Sequence, residues 1–369
     1  MSIPRFSVPK NNFHLDLKNQ VNEYFTSTKK SKTGTYALYI KAILILISYV
    51  AIYVHLLFFV KSILAQSSLL LNTILLLESA LLGVLTAAIG FNIMHDGAHG
   101  SFSSYRWLNS LAGLSLNVLG ANVFMWKTKH NVAHHTYTNI ESVDDDLNAR
   151  PLLRMCLSQK RYSIHRFQHL YFLGAYSLLY FYWVFVTDYK KYFLGRVAQT
   201  AIKDMSVAEH VSFWGFKILH IVLFIALPIY MIGFWPWLAG FAVYGAVAGI
   251  ILSVVFQLAH IVEETQFPEQ NHTSGKMEDE WAIIQLKTTA NFANKNWFWN
   301  AFTGGLNFQI EHHLFPNISH VHYPALSLIV KNVCSNYKVP YLEHSSMSNA
   351  FASHVAHLKT MGKYYENNK

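Results

Sequence analysis

The amino-acid sequence predicts an all-α integral membrane protein. It has four transmembrane helices in two hairpins, interfacial helices, and a helical cap on the cytosolic side. Three observations carry this reading. Of the 369 residues, 52% are hydrophobic and only 13% charged, about half the charged share usual in soluble proteins. Four apolar runs approach or exceed the roughly 20 residues that cross a bilayer as a helix. Finally, the clustered histidines fall on a single side of the membrane in the topology those runs define.

The first run covers about 42–60, "AILILISYVAIYVHLLFFV", bounded by Lys41 and Lys61. The second covers about 68–91, the third about 213–234 and the fourth about 237–259. Only Trp235 and Pro236 separate the last two, so they form a tight hairpin, with Trp235 and Trp237 at the membrane interface. Two further stretches, 107–126 and 170–187, are apolar but interrupted by Gly, Asn or many aromatics. They are read as interfacial or re-entrant helices. The chain then divides into an N-terminal segment 1–41, a membrane domain 42–345 and a C-terminal tail 346–369.

Charge sets the orientation. Segments 1–41, 92–212 and 260–369 hold 7, 12 and 8 of the 29 Lys and Arg residues. Lys61 alone lies in an opposite loop, and Lys217 lies within the third run. The positive-inside tendency therefore puts both termini and all long loops in the cytoplasm. The net charge of +9 and pI near 9.3 belong to that asymmetry and to contact with anionic lipid. No basic run of five residues occurs, which argues against nucleic-acid binding. Cys156 and Cys334 form no C-x-x-C pattern, so neither a disulfide framework nor a thiolate metal site is expected. The polar N-terminus, "MSIPRFSVPKNNFHLDLK", carries no apolar signal-peptide core.

The histidines fit this topology. "HDGAHG" places His95 and His99 just past the end of the second run, spaced i, i+4 and so on one helix face. "HNVAHHTYTN" adds His130, His134 and His135; His260 ends the fourth run; "QIEHHLFP" supplies His312 and His313. A single H-x-x-x-H is weak evidence in a chain of 20 histidines. Eight that converge on one membrane face make a metal site the better reading. They exceed the four ligands of a tetrahedral zinc and suit two first-row ions, with iron, copper, zinc and nickel all compatible with imidazole. Asp96, Glu263, Glu264 and Glu311 could fix imidazole tautomers from outside, and so could His320 and His322. His14, His165, His169, His210, His272, His344, His354 and His357 read as surface or interfacial residues. His55 and His220, inside spans, read as packed donors.

H-x-x-x-H, H-x-x-x-H-H and Q-x-x-H-H resemble the three histidine boxes of the membrane fatty-acid desaturases. Gln309, which opens "QIEHH", is similar to the front-end, Δ6-type class. The resemblance extends from about residue 35 to 345. It implies a di-iron centre using molecular oxygen, with ligands at His95, His99, His130, His134, His135, His260, His312 and His313. Gln309 stands where many relatives carry a ninth histidine, so it is a candidate metal or substrate contact. Many front-end enzymes carry a fused cytochrome b5 with an H-P-G-G motif, absent here. Electrons are thus expected from a separate ferredoxin or cytochrome b5.

The implied reaction removes two vicinal hydrogens from a fatty-acyl substrate, presented as acyl-CoA, acyl-lipid or acyl-carrier protein, and leaves a cis double bond. An alkyl C–H is not acidic, so the difficult chemistry resides in the cofactor. A hydroxylase or sphingoid-base oxygenase of the same fold would share the boxes. A divalent-metal transporter would need ionisable groups through the spans, where only Glu78, His55, His220 and Lys217 occur. A bacterial inner membrane is the expected location.

Overall fold

The computed structural model describes residues 4–64, 69–271 and 274–363; His272 lies outside them. Among these residues four helices are long and apolar enough to span a membrane: Tyr36–Val60, Asn72–His99, Val207–Ile232 and Phe234–His260. The first two pack as one hairpin, and the fourth lies along the second. Local sequence explains their ends. Ser206 opens the third span with a capping box: its Oγ accepts from Glu209 N–H at 3.3 Å, and Glu209 Oε2 accepts from Ser206 N–H at 2.6 Å.

The turn between the third and fourth spans differs from the expected one. It lies at Gly233, with φ of +92°, and Trp235 and Pro236 belong to the first turn of the fourth span. Proline is tolerated there because the first helical N–H groups have no intrahelical acceptor. The second span also runs further than its apolar run suggests. It continues through a π-helical turn at Gly90–Met94 to His99, so His95 and His99 lie on the span and not beyond it. π-turns of this kind frequently occur at functional sites.

The two weaker stretches form bent helix pairs. Arg106–Val118 meets Val123–Tyr137 at 108°, and Ser163–Ser177 meets Leu179–Leu194 at 56°. A buried ion pair fastens both to the third span. Lys217 Nζ donates to Gly120 O at 2.7 Å, to Val184 O at 2.9 Å and to Asp188 Oδ2 at 3.1 Å.

Above the histidine end of the bundle sits a helical cap. In helix Phe13–Thr28, Phe13, Leu17, Val21 and Phe25 recur every fourth residue and are buried against Leu326, Val330 and Val333 of helix Tyr323–Tyr337. Each such side chain contributes about 1.5–3 kcal/mol on burial. Helix Met347–Lys363 packs on the Gln168–Ser177 helix and the end of the fourth span. Its histidines correct an expectation. His354 Nδ1 donates to Ile261 O at 2.6 Å and His357 Nε2 to Met155 O at 2.7 Å. His165, likewise buried, donates from Nε2 to Pro151 O at 2.8 Å. These three are internal fasteners, not surface residues. His55 Nδ1 pairs with Glu78 Oε2 at 2.9 Å between the first two spans.

Gly304 links the cap to the bundle. Its φ is +58°, and a Cβ there would meet the Phe91 carbonyl of the second span. Gly304→Ala combines a left-handed residue, costing about 1–2 kcal/mol, with a backbone clash. The thermal midpoint in detergent is expected to drop measurably; an unchanged midpoint would contradict this packing.

Candidate metal centre

The second span brings His95 and His99 onto one face, and a second π-helical stretch, Thr128–His134, presents His130 and His134. His135 follows, His260 ends the fourth span, and the short helix Gln309–Leu314 carries His312 and His313. All eight side chains are buried. Their ring nitrogens fall into two groups. Those of His95, His99, His130 and His312 lie within 4.8 Å of one another, as do those of His134, His260 and His313, while His130 and His134 also come within that distance of each other and of an Asp146 carboxylate oxygen. His135 stands between the groups, its ring centroid 4.5 Å from His312 and 4.4 Å from His313.

Hydrogen bonds orient the rings. His134 Nδ1 donates to Asp144 Oδ2 at 3.0 Å, His260 Nδ1 to Thr288 O at 3.2 Å, and His313 Nδ1 to Gln285 Oε1 at 2.8 Å. His312 Nδ1 lies 3.1 Å from Tyr323 Oη. The bonds to Asp144, Thr288 and Gln285 place the ring proton on Nδ1 and leave the Nε2 lone pair facing inward. The inner atoms have no such partners. Nε2 of His99, His134, His260, His312 and His313 is buried without a hydrogen bond. Nε2 of His95 and of His135 faces only His130 Nε2, at 3.3 and 3.2 Å. Buried polar atoms left this way cost free energy unless something else satisfies them. A donor set of imidazoles in two groups fits metal ions of the kind imidazole prefers. Burial, then the rings of His95 and His135, hold His312 well below the ordinary imidazole value; burial, then His135 and His260, do so for His313. Neutral imidazole is the ligating form.

The residues expected to support the rings divide. Asp96 Oδ2 accepts from His320 Nδ1 at 2.9 Å and from Ser319 Oγ at 2.7 Å, and Asp96 also interacts with His95. His320 Nε2 meets Lys41 Nζ at 3.2 Å, so His320 joins the cluster through Asp96. The other expectations are corrected. Glu263 and Glu264 are exposed, because the chain leaves the helix at His260 and turns to the surface, where Ser353 Oγ donates to Glu264 at 3.0 Å. Glu311 points to the opposite side of its helix, accepting from Asn291 Nδ2 at 2.8 Å and Tyr341 Oη at 2.9 Å. Burial pushes its carboxyl up to about 8. His322 donates to Thr33 O at 3.3 Å, away from the cluster. Gln309 is buried, lines the cavity described next, and its Oε1 has no partner.

Sequence reasoning missed Asp144, Gln285, Thr288 and Tyr323. Asp144 had a signal, the "DDD" run closely following H-x-x-x-H-H in a chain with only 20 acidic residues. The others had none, since they approach from distant segments. A cavity of about 800 Å³ reaches the cluster at His95, His130 and Gln309. Phe91, Met94, Leu179, Trp183, Leu252 and Phe256 contribute apolar wall, and Lys190 and Arg196 lie on its lining too. Its size is that of a small-molecule site.

Fold and site define a membrane protein with a buried, histidine-rich metal site beside an apolar cavity. The chain belongs to the fatty acid desaturase family, whose profile matches residues 68–345, and it is accordingly an oxidoreductase. It is 35% identical to the sn-1 linoleoyl-lipid 6-desaturase of Synechocystis sp. over 356 residues, covering 96% of both chains. It is 34% identical to the acyl-lipid (8-3)-desaturase of Physcomitrium patens over 354 residues, 95% of this chain and 72% of the relative. The sn-1 linoleoyl-lipid 6-desaturase of Arthrospira platensis is 34% identical over 353 residues, 95% of this chain and 92% of that one.

Proposed function

We propose that the chain is an oxygen-dependent acyl-lipid desaturase of front-end, Δ6-like selectivity, in which eight histidines hold two iron ions. The observation that supports this most is the set of eight buried imidazoles whose inner nitrogens have no partner but one another. His95, His99, His130 and His312 would hold one ion; His134, His260 and His313 would hold the other; His135 lies within reach of both. Gln309 is the remaining polar group on the three-imidazole side. The acyl-lipid substrate is the class that the relatives' names carry. A ferredoxin- or cytochrome b5-type donor would supply electrons at the cytoplasmic face.

Two bound iron ions would supply oxygen activation and hydrogen abstraction, which no side chain can perform on an alkyl carbon. The chain's own residues do the rest. The cavity wall excludes water and holds the acyl chain beside His95 and His130. Position within the cavity then selects the carbons that react, by proximity alone. Asp144, Gln285 and the Thr288 carbonyl hold their imidazoles in the ligating tautomer.

Expression in a host lacking polyunsaturated lipids, with fatty-acid profiling, tests the reading: a new double bond near the carboxyl end supports it, and an unchanged profile opposes it. Asp144→Ala removes the partner of His134 and should weaken metal retention about 10–100-fold, measured by titration with a chelator. Retention equal to wild type would show that Asp144 does not orient a ligand.

A further inference from the structure

Two aromatic residues stand where the cavity meets the imidazole cluster. Trp126 lies in the short helix Val123–Lys127, four residues before His130, and Phe256 lies on the fourth span, four residues before His260. That spacing sets each ring one helical turn from a ligand. Asn122 caps the short helix, accepting from Met125 N–H at 3.1 Å, so the indole sits on a fixed backbone. The Trp126 ring stacks on His130 with centroids 4.3 Å apart and meets His95 and His99 edge-on at 5.6 and 5.8 Å. The Phe256 ring lies 5.0 Å from both His134 and His260 and 6.2 Å from His130. Trp126 thus leans on the four-imidazole group, Phe256 on the three-imidazole group, and both reach His130. Each also lines the cavity. Other aromatic residues of the lining are engaged elsewhere: Phe91 packs against Phe302, Tyr176 against His354, and the Trp183 indole N–H donates to Asp188.

Methylenes are chemically alike, so a cavity selects among them by holding the chain in one register. A chain that reaches His95 and His130 through this cavity passes beside these two rings. We propose that Trp126 and Phe256 are specificity-determining residues, which grip the acyl chain next to the two imidazole groups and so fix the pair of carbons that faces His130. The inference rests on the desaturase reading. Aromatic rings suit the task, because they offer a large apolar contact with only two side-chain torsions and do not follow a sliding chain. A misfit of one methylene in an apolar pocket costs about tenfold or more in discrimination, enough for one bond position to dominate. A smaller side chain in place of either ring frees room for the chain to slip, and that discrimination falls.

The first test reads binding without turnover. Bromine quenches indole fluorescence only at close range, so lysophosphatidylcholines carrying a 6,7-, 9,10- or 11,12-dibromostearoyl chain map the carbons beside Trp126. Each is added to the purified enzyme in detergent micelles, and the signal is the quenching that Trp126→Phe no longer shows. It should be largest for the 6,7-dibromo chain and fall for the others. A maximum at another pair upholds the grip and contradicts Δ6 selectivity alone. Equal quenching by all three lipids, or none lost in Trp126→Phe, overturns the proposal. The second test is Phe256→Leu in the host lacking polyunsaturated lipids, and it decides alone if Trp126→Phe does not fold. Double bonds at neighbouring carbons, held about tenfold or more below the main position in wild type, should rise to a comparable share while iron content is retained. A purely packing role would lower iron retention and leave the bond at one position. A single bond position in Phe256→Leu, with or without iron loss, overturns the proposal. Failure of the desaturase reading is separate, since wild-type expression would then leave the host's lipids unchanged while the quenching map could still be read.

Discussion

His312→Ala and His313→Ala are each expected to abolish desaturation, and each to remove one iron ion from the protein instead of both. His312 belongs to the group with His95, His99 and His130, and His313 to the group with His134 and His260. Neighbouring in sequence, they serve different groups because successive residues on a helix point about 100° apart, and their ring centroids are 5.5 Å apart. Loss of an outer partner of a ligand costs about 10–100-fold in affinity or activity, so loss of the ligand itself should exceed that. The packing around the short helix is supplied by Phe308, Ile310 and Leu314, which both variants keep. Membrane insertion should therefore be normal by protease protection and size-exclusion profile. Substantial activity in either variant, or loss of both irons from each, would contradict the two-group arrangement.

The second large effect concerns stability. Lys217→Met leaves Asp188 buried beside the cavity without its paired ammonium, holding the Trp183 indole N–H at 3.1 Å and the Asn122 backbone N–H, with Lys191 the remaining nearby cation. Breaking a buried ion pair on one side typically costs about 3–5 kcal/mol. Here Gly120 and Val184 also lose the donor to their carbonyls. Because the pair fastens both bent helix pairs to the third span, the thermal midpoint in detergent should fall strongly. The double variant Lys217→Met/Asp188→Leu should recover much of the loss, since it removes the orphaned charge. Equal midpoints for wild type and Lys217→Met would show that the pair contributes nothing.

The spans and histidine boxes were legible in the sequence because each rests on short-range spacing: about 20 apolar residues, or i, i+4 on a helix. The hairpin turn was misplaced by a few residues because proline and tryptophan signal a break more loudly than Gly233 does. The rings' outer partners were mostly invisible. Gln285 and Tyr323 reach His313 and His312 only through tertiary packing, and Thr288 uses its backbone carbonyl. Unlike Asp96, two carboxylates close in sequence to ligands misled for the same reason. Glu311 precedes His312 yet turns toward Asn291 and Tyr341, and Glu263 follows His260 yet lies at the surface. His354 and His357 read as surface residues because periodicity does not reveal that a polar helix packs against the end of a span.

Metal analysis of protein purified from iron-supplemented cells tests the central claim most directly. Wild type should hold about two iron ions per chain, and His312→Ala and His313→Ala about one each. A wild-type preparation holding no more than one iron per chain, or two irons per chain retained in both variants, would contradict the account.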